Sequence, residues 1–274
     1  MSKYYPPDVG VKINKSSITD SEIQDLVNRL PNNVIFRVFG FAGTGKGTLS
    51  SNLATALSIP NVESSLIWRA ITLIYEDLGL GLEDKNSDLV LAKLQVVHGA
   101  EKQLLVKYDS NIINRVSLKS PLVDSKVATY SANSYLREKF YDLMIDFLSS
   151  INCSCVLDGR GAYPRYITGI EERGYKIIRL LLDASESEMA QRYYASYINK
   201  KLITDPDYVE SASEKQLLLE NFNKGIIARN DKDWETWNRL DLGTITEDTA
   251  IVDTTGMSID EVFQSVLSYI NSVI

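Results

Sequence analysis

A glycine-rich run from Gly40 to Thr48 constrains this chain more than any other feature. It follows an apolar segment, residues 34–39, that reads as a buried strand, and it precedes a segment with the apolar spacing of a helix. Glycines at a strand-to-helix turn let backbone N–H groups converge on an anion at the positive end of the helix. The sequence therefore predicts a phosphate-binding loop, with Gly43, Thr44, Gly45, Lys46, Gly47 and Thr48 as its contact residues.

The Gly-x4-Gly-Lys spacing in this context is typical of the P-loop, which binds a nucleoside triphosphate. Lys46 is expected to reach the β- and γ-phosphates of ATP as a compact positive charge. The usual pattern has Ser or Thr directly after the lysine as a Mg²⁺ ligand, but here Gly47 takes that place and Thr48 follows. We therefore expect Thr48 to lie near the α-phosphate, and Mg²⁺ to be held by phosphates, water and a nearby carboxylate.

Predicted strands and helices alternate after this loop, which favours an α/β fold of three layers. We expect a parallel sheet of about five strands with helices on both faces. The predicted strands lie at residues 34–39, 61–63, 154–157, 175–182 and 250–253, and a closing helix opens with a capping box at Ser258 and Glu261.

Two segments interrupt this alternation, at about residues 66–126 and 193–232. We interpret both as insertions on the core, where lids and substrate covers usually lie, and the first includes a possible hairpin with a turn near Asp109. The P-loop domain is assigned to residues 34–274. Residues 1–33 are predicted to form an N-terminal extension that packs on this domain.

The net charge of −7 makes binding along a nucleic acid backbone an unsuitable role for this chain. The N-terminus lacks the apolar core of a signal peptide, and no apolar run approaches the length of a membrane span. Cys153 and Cys155 are interpreted as packing residues of a reducing compartment. We expect a cytoplasmic protein, a monomer rather than an oligomer, whose partners are small-molecule nucleotides, without nucleic acid or membrane partners.

Several runs beyond the glycine-rich loop form motifs of charged, polar and small residues. They are Glu63–Arg69, Ser120–Val123 with Leu136–Glu138, Asp158–Arg160, Leu182–Arg192, Arg229–Asp233 and Val252–Val262. Together with the loop they resemble the motifs of nucleoside monophosphate kinases, and of the cytidylate kinase family in particular, from about Val34 to the C-terminus, weakly between residues 72 and 115. The resemblance implies the P-loop kinase fold, with residues 66–126 as an acceptor-binding insert and residues 193–232 as a lid, and transfer of the γ-phosphate of ATP to (d)CMP.

The resemblance also implies roles for single residues. The acceptor nucleotide would be bound by Ser64, Arg69, Arg137, Arg160, Asp233 and Arg239, with Arg69 on its phosphate, Arg137 at the base and Asp233 on the sugar. Asp158 would orient Mg²⁺-bound water. The transferring phosphate would be met by Lys46, Arg160 and two lid arginines, Arg192 and Arg229.

Two departures from the family pattern concern base recognition. An ungapped alignment places Ala128 where the family has a base-contacting serine, with Thr129 or Ser131 as alternatives for that contact, and Gly161 replaces the family's second aspartate. A kinase acting on another monophosphate or a small metabolite therefore remains an alternative, as does a nucleotide-binding regulator without catalysis. Trp234 and Trp237, near the end of the lid, are expected to pack rather than to stack on a base.

Overall fold

The computed structural model describes residues 3–5, 9–82, 87–99, 104–160, 164–239 and 245–274. The strands are β1 (Val11–Lys12), β2 (Val34–Gly40), β3 (Asn61–Glu63), β4 (Leu94–His98), β5 (Leu104–Tyr108), β6 (Asn111–Ile112), β7 (Cys155–Asp158), β8 (Lys176–Asp183) and β9 (Ala250–Asp253). The helices are α1 (Asp20–Arg29), α2 (Lys46–Ala56), α3 (Ser64–Asp77), α4 (Ser87–Leu91), α5 (Arg115–Leu118), α6 (Pro121–Ala132), α7 (Ser134–Ser150), α8 (Pro164–Glu171), α9 (Glu186–Thr204), α10 (Ala212–Arg239) and α11 (Ile259–Val273).

The main sheet is parallel and has the strand order β1-β9-β8-β2-β7-β3. The α/β class and the five expected strands are confirmed. The sheet has a sixth strand, β1, because Val11 and Lys12 pair with Ala250 and Ile251 at its edge. A two-residue strand lies below the length at which apolar alternation can be read, so the sequence did not reveal it.

Each face of the sheet carries its own apolar core. Side chains of β2 alternate between them: Ile35 and Phe39 lie in one core, and Phe36 and Val38 in the other. All residues of β2 are buried, because helices cover both faces of a parallel sheet. The loop that follows β2 therefore starts from a rigid central position.

The first segment that interrupts the alternation, residues 66–126, contains a separate antiparallel sheet, β4-β5-β6. The expected hairpin is confirmed as β5 and β6, and its turn has positive φ angles at Asp109 (49°) and Ser110 (68°). Such left-handed pairs suit tight hairpins because their twist matches that of the strands. In the lid, α9 and α10 form a long helical pair.

The N-terminal extension packs on the closing helix. The Ser16 amide donates to Ser265 Oγ (3.1 Å), and an Arg29 guanidinium nitrogen donates to the Asn271 carbonyl oxygen (2.8 Å). Leu26 of α1 is fully buried in the core that α2 and α11 share. Of the helices in the described part of the chain, none combines the length and apolar character that crossing a bilayer requires.

We predict that Leu26→Ala lowers the free energy of unfolding by about 2–5 kcal/mol, because a buried leucine loses its apolar contacts and leaves a cavity. Leu217→Ala serves as the control, since Leu217 is 58% exposed and such changes stay within about 0.5 kcal/mol. Urea unfolding of both variants measures the difference. Equal stabilities would show that the extension is not part of the cooperative core.

Candidate active site

The glycine-rich loop joins the carboxyl end of β2 to the N-terminus of α2. Gly45 lies directly before this helix with a φ of 91°, a left-handed conformation that favours glycine. Thr44 Oγ1 donates to the Phe41 carbonyl oxygen (2.9 Å), and Lys46 Nζ donates to the same oxygen (2.5 Å). Since Gly45 offers no side chain to cap α2, the first N–H groups of this helix are available to an anionic ligand.

The Lys46 ammonium group lies in an environment that disfavours its charge. Its pKa is lowered to about 8, and burial is the largest cause. The positive charges of Arg160 and Arg37 act in the same direction as burial, whereas the carboxylates of Asp158 and Asp233 oppose it. A bound phosphate would therefore complete the electrostatic environment that this lysine lacks.

Asp158 ends β7 beside the glycine-rich loop, in register with Val38 of β2. Its Oδ2 lies 3.8 Å from the position that a Cβ atom on Gly47 would occupy. Burial raises the pKa of this carboxyl group, and Lys46 and Arg37 oppose the rise. The expected position of Asp158 next to the phosphate loop is confirmed, whereas its role in magnesium binding stays a prediction.

The turn after Asp158 is closely packed. Ser64 Oγ, at the start of α3, donates to the Asp158 carbonyl oxygen (2.7 Å). A Cβ atom on Gly159 would lie 2.3 Å from Ser64 Oγ, so a larger residue would push the turn out of place. Ser64 therefore supports the turn that carries Arg160, and its expected contact with the acceptor stays a prediction.

Arg160 and Asp233 form an ion pair in the site. An Arg160 guanidinium nitrogen lies 3.0 Å from Asp233 Oδ2 and 3.2 Å from Oδ1. Burial raises the pKa of Asp233, while Arg160 and Lys46 counteract it. The structure thus brings Lys46, Asp158, Arg160 and Asp233 together from three segments of the chain.

Arg192 and Arg229, the two predicted lid arginines, form contacts near the cavity that adjoins the glycine-rich loop. The Arg192 guanidinium donates to the Thr254 hydroxyl (2.9 Å) and carbonyl oxygen (2.8 Å), and to the Gly43 carbonyl oxygen (3.4 Å). Arg229 is exposed and donates to the hydroxyl of Tyr193 (3.0 Å). Their predicted contact with the transferring phosphate stays a prediction.

A cavity of about 490 Å³ adjoins the glycine-rich loop on this side. Gly43, Thr44, Gly45 and Thr48 form one wall, and apolar side chains such as Leu182, Met257 and Val262 form another. An apolar pocket that continues from a phosphate loop has the shape and chemistry of a site for a nucleotide base.

Arg69 and Arg137, which are predicted to bind the acceptor, lie on α3 and α7. Arg69 of α3 donates to the Leu118 carbonyl oxygen (2.9 Å) and pairs with Asp124 (2.5 Å). Arg137 of α7 is buried, donates to the Ser131 carbonyl oxygen and lies over the ring of Trp68, 5.6 Å from its centroid. The predicted contacts of Arg69 with the acceptor phosphate and of Arg137 with the base stay predictions.

The two departures that concern base recognition are Ala128 and Gly161. Ala128 is exposed on α6, and the Ser131 hydroxyl donates within the helix to its carbonyl oxygen (3.2 Å). Gly161 and the side chain of Arg239 lie outside the described residues. The predicted role of Arg239 in acceptor binding therefore stays a prediction.

Sequence reasoning missed Arg37, a fully buried arginine in the middle of β2. Its guanidinium donates to the carbonyl oxygens of Leu157 (3.0 Å), Val38 (3.2 Å) and Arg160 (3.4 Å). These hydrogen bonds hold the backbone on both sides of Asp158 and so stabilise the turn that carries Arg160. The available signal was a charged residue inside an otherwise apolar strand, since such residues are rarely buried without a specific task.

Trp234 and Trp237 of α10 pack as expected. The Trp237 ring stacks on Phe41 of the phosphate loop, with centroids 4.6 Å apart and an interplanar angle of 5°. The Trp234 ring meets Phe41 at 6.3 Å. The end of the lid is therefore in direct contact with the loop.

A parallel α/β sheet, a glycine-rich loop with its lysine, and arginines converging from separate segments define an ATP-dependent phosphotransferase of the P-loop class. The chain belongs to the cytidylate kinase family, whose model matches residues 37–272. This family consists of nucleoside monophosphate kinases.

Curated relatives agree with this assignment along most of the chain. A cytidylate kinase of Carboxydothermus hydrogenoformans is 25% identical over 234 residues, which cover 84% of this chain and 94% of the relative. One of Clostridioides difficile is 27% identical over 245 residues, covering 87% and 99%. Among solved structures, a gluconokinase from Sinorhizobium meliloti 1021 is 14% identical with a TM-score of 0.43, covering 89% of this chain and 94% of its own.

We predict that donor-nucleotide affinity falls as the pH rises through about 8, the pKa of Lys46. A bound phosphate raises this pKa, so binding above pH 8 takes up a proton, and affinity falls by up to about tenfold per pH unit. Below pH 8 the amine is already protonated in the free enzyme.

Calorimetric titration with ADP, in buffers of different ionisation enthalpy, measures the proton uptake at pH 7.5 and pH 9. Uptake should be small at pH 7.5 and approach about one proton at pH 9. Lys46→Arg is the control, because a guanidinium stays charged over this range. Equal uptake by the wild type and this variant at pH 9 would contradict the prediction.

Proposed function

We propose that this enzyme transfers the γ-phosphate of ATP to (d)CMP, giving ADP and (d)CDP. The observation that carries the proposal is the cluster of Lys46, Asp158 and Arg160 beside the phosphate loop, with acceptor-side arginines on the adjoining insert. Membership of the cytidylate kinase family over residues 37–272 supports the choice of acceptor.

The transfer itself requires positioning and charge more than covalent chemistry. The glycine-rich loop and Lys46 hold the β- and γ-phosphates of ATP. Arg69 binds the phosphate of the acceptor, and Arg160 bridges donor and acceptor. An Arg160 guanidinium nitrogen lies 3.0 Å from Asp233 Oδ2. When the ligands bind, phosphate oxygens replace this carboxylate at Arg160. The carboxylate is then available to accept hydrogen bonds from sugar hydroxyl groups.

The residues present fit a magnesium ion held through the nucleotide. Asp158 is partly buried beside Gly47, and burial raises its pKa, so a cation nearby would stabilise its charged form. The described residues contain no cluster of three acidic, histidine or cysteine side chains suited to a metal. A Mg²⁺ ion that keeps waters and binds phosphates needs only such a single carboxylate. When bound, Mg²⁺ neutralises charge on the phosphates.

The lid arginines contribute when the site closes. Arg192 already bonds the Gly43 and Thr254 carbonyl oxygens at the donor site, and Arg229 is exposed next to Tyr193. Arg229 meets the transferring phosphate from the base of the lid, and closure of the outer part of the lid excludes water, which would otherwise hydrolyse ATP.

A kinase for a different nucleoside monophosphate is the second candidate. Ala128, which aligns with the base-contacting serine of the family, is exposed and has no hydroxyl group to donate to a base. Arg137 lies over Trp68 and supplies the remaining base-side cation. We further propose a cytoplasmic monomer acting on small nucleotides, in keeping with two free thiols and the net charge of −7.

We predict that Lys46→Ala and Arg160→Ala each lower kcat by about 10³-fold, because each removes a cation from the transferring phosphate. Arg173→Ala is the matched control, since this exposed arginine bonds only the Gly169 carbonyl oxygen of its own segment among the described contacts. A coupled ADP-release assay measures turnover, and circular dichroism checks folding. Retained turnover in either folded variant would refute the assignment.

The acceptor is identified by screening all ribo- and deoxyribonucleoside monophosphates with ATP and Mg²⁺. We expect CMP and dCMP to give the highest kcat/KM. A higher value for another monophosphate would establish the second candidate. ATP binding without turnover of any acceptor would favour a nucleotide-binding regulator.

We predict that Asp124→Asn lowers the KM of the acceptor by several-fold. The Asp124 carboxylate pairs with Arg69 at 2.5 Å, so the acceptor phosphate must displace it before it can bind this guanidinium. Asparagine retains the size of the side chain and removes its charge. Steady-state kinetics with the best acceptor provide the test, and an unchanged or higher KM would show that Arg69 does not bind the phosphate.

A further inference from the structure

The N-terminal residues Lys3, Tyr4 and Tyr5 lie against the phosphate loop, although they are distant from it in sequence. Tyr4 and Tyr5 are buried, with 5% and 6% of their surface exposed. Their ring centroids lie 4.5 Å and 5.3 Å from that of Phe41. Both rings also meet Trp234 of α10, each at 6.0 Å. Together with Trp237, these side chains form one aromatic cluster.

Polar contacts fasten the same three residues to the lid helices. The Tyr4 hydroxyl donates to Asp231 Oδ1 (2.7 Å), and Lys3 Nζ lies 3.1 Å from the same oxygen. Lys3 also lies 3.8 Å from Glu186 at the start of α9. Burial raises the pKa of Tyr4, and the Asp231 carboxylate raises it further, so this hydroxyl remains a hydrogen-bond donor.

Phe41 connects this cluster to the site. Its carbonyl oxygen accepts the hydrogen bonds of Lys46 Nζ and Thr44 Oγ1, while its ring lies between the tyrosines and Trp237. Through the backbone of one residue, the cluster is thus joined to the lysine that is expected to hold the γ-phosphate.

The part of α10 that the cluster holds is the part that carries site residues. We call residues 229–237 the basal part of α10. It contains Arg229 and Asp233, and it places Asp233 in its ion pair with Arg160. Asn230 is buried and donates to the Met189 sulfur of α9 (3.4 Å). The helical segment beyond it, toward the α9–α10 connection, is largely exposed.

Tyr5 extends the cluster toward the ion pair. Burial raises the pKa of its hydroxyl, and the negative charges of Asp183 and Asp233 add to this effect. The negative charge of Asp233 therefore acts on the Tyr5 hydroxyl, which belongs to the cluster. Residues 3–5 precede the part of the chain that matches the family model, which begins at residue 37. Their role therefore belongs to the extension of this chain.

We propose that Lys3, Tyr4 and Tyr5 form a strap that positions the basal part of α10 on the phosphate loop for phosphoryl transfer. The strap keeps Asp233, and through it Arg160, in place while the outer part of the lid opens and closes. This inference rests on the proposed function. It makes the three residues positioning residues, because they act through Phe41, Asp231 and Trp234.

Two variants separate the parts of the strap. Tyr4→Ala combined with Tyr5→Ala removes the rings, whereas Lys3→Ala combined with Tyr4→Phe removes the polar contacts and keeps both rings. Lys15→Ala is the matched control. Lys15 is 58% exposed and pairs with Glu261 of α11 at 2.5 Å, while Lys3 is 57% exposed and pairs with Asp231.

The kinetic readout is kcat, the KM of ATP and of the acceptor, and the ratio of ATP hydrolysis to phosphate transfer. We expect the double alanine variant to lose about tenfold or more in kcat, since small misplacements of positioning groups cost up to about 10²-fold. The KM of ATP should change far less, and the hydrolysis ratio should rise because water enters the site. The Lys3→Ala/Tyr4→Phe variant should change in the same direction by a smaller factor, and Lys15→Ala should match the wild type.

Acrylamide quenching of tryptophan fluorescence reports the basal part of α10 through Trp234 and Trp237. The third tryptophan, Trp68 of α3, is buried and adds a background common to all variants. Quenching should increase in both strap variants and stay unchanged in Lys15→Ala. A folded double alanine variant with wild-type kcat, hydrolysis ratio and quenching would overturn the strap. So would a loss of kcat that accompanies lower stability while the hydrolysis ratio and the quenching remain those of the wild type.

If the double alanine variant does not fold, the Lys3→Ala/Tyr4→Phe variant decides by the same criteria. Quenching and acceptor-free ATP hydrolysis need no acceptor. A wild-type enzyme that phosphorylates no monophosphate would therefore contradict the proposed function, while these two measurements still decide the strap.

Discussion

The rest of the site depends on the buried positive charge of Lys46, which the glycine-rich loop encloses. Its donation to the Phe41 carbonyl oxygen leaves its charge incompletely compensated, and burial lowers its pKa to about 8. Asp158 and Asp233 supply negative charge nearby, and Arg160 and Arg37 supply positive charge. The site is therefore a set of coupled charges that an anionic ligand rearranges.

Three of the expected ligand-binding arginines are paired with carboxylates. Arg160 pairs with Asp233, Arg69 with Asp124, and Arg192 with Glu188 of its own helix. A phosphate group can replace a carboxylate at a guanidinium because both present oxygens in a similar planar arrangement to the fork. In the proposed reaction, the ligand phosphates replace these carboxylates at the arginines, so nucleotide binding rearranges the ion pairs of the site.

The backbone around Asp158 shows how the site is kept in register. Arg37 bonds the carbonyl oxygens of Leu157 and Arg160 from inside the sheet, and Ser64 bonds that of Asp158. On the other side, the aromatic cluster fixes α10 against Phe41. The turn and the lid helix are therefore held by groups outside the motifs that name the family.

The sequence by itself determined the phosphate loop, the alternating α/β order, the hairpin of the insert and the position of Asp158 next to the loop. These follow from local chemistry: glycine conformations, strand and helix periodicity, and the fact that parallel strands end at one edge of a sheet. Only the tertiary structure decided that β1 joins the sheet, that Arg37 lies beneath Arg160, and that Tyr4 and Tyr5 cover Phe41. Those contacts join residues far apart in the chain, and a packing partner leaves no periodic signal in the sequence of either segment.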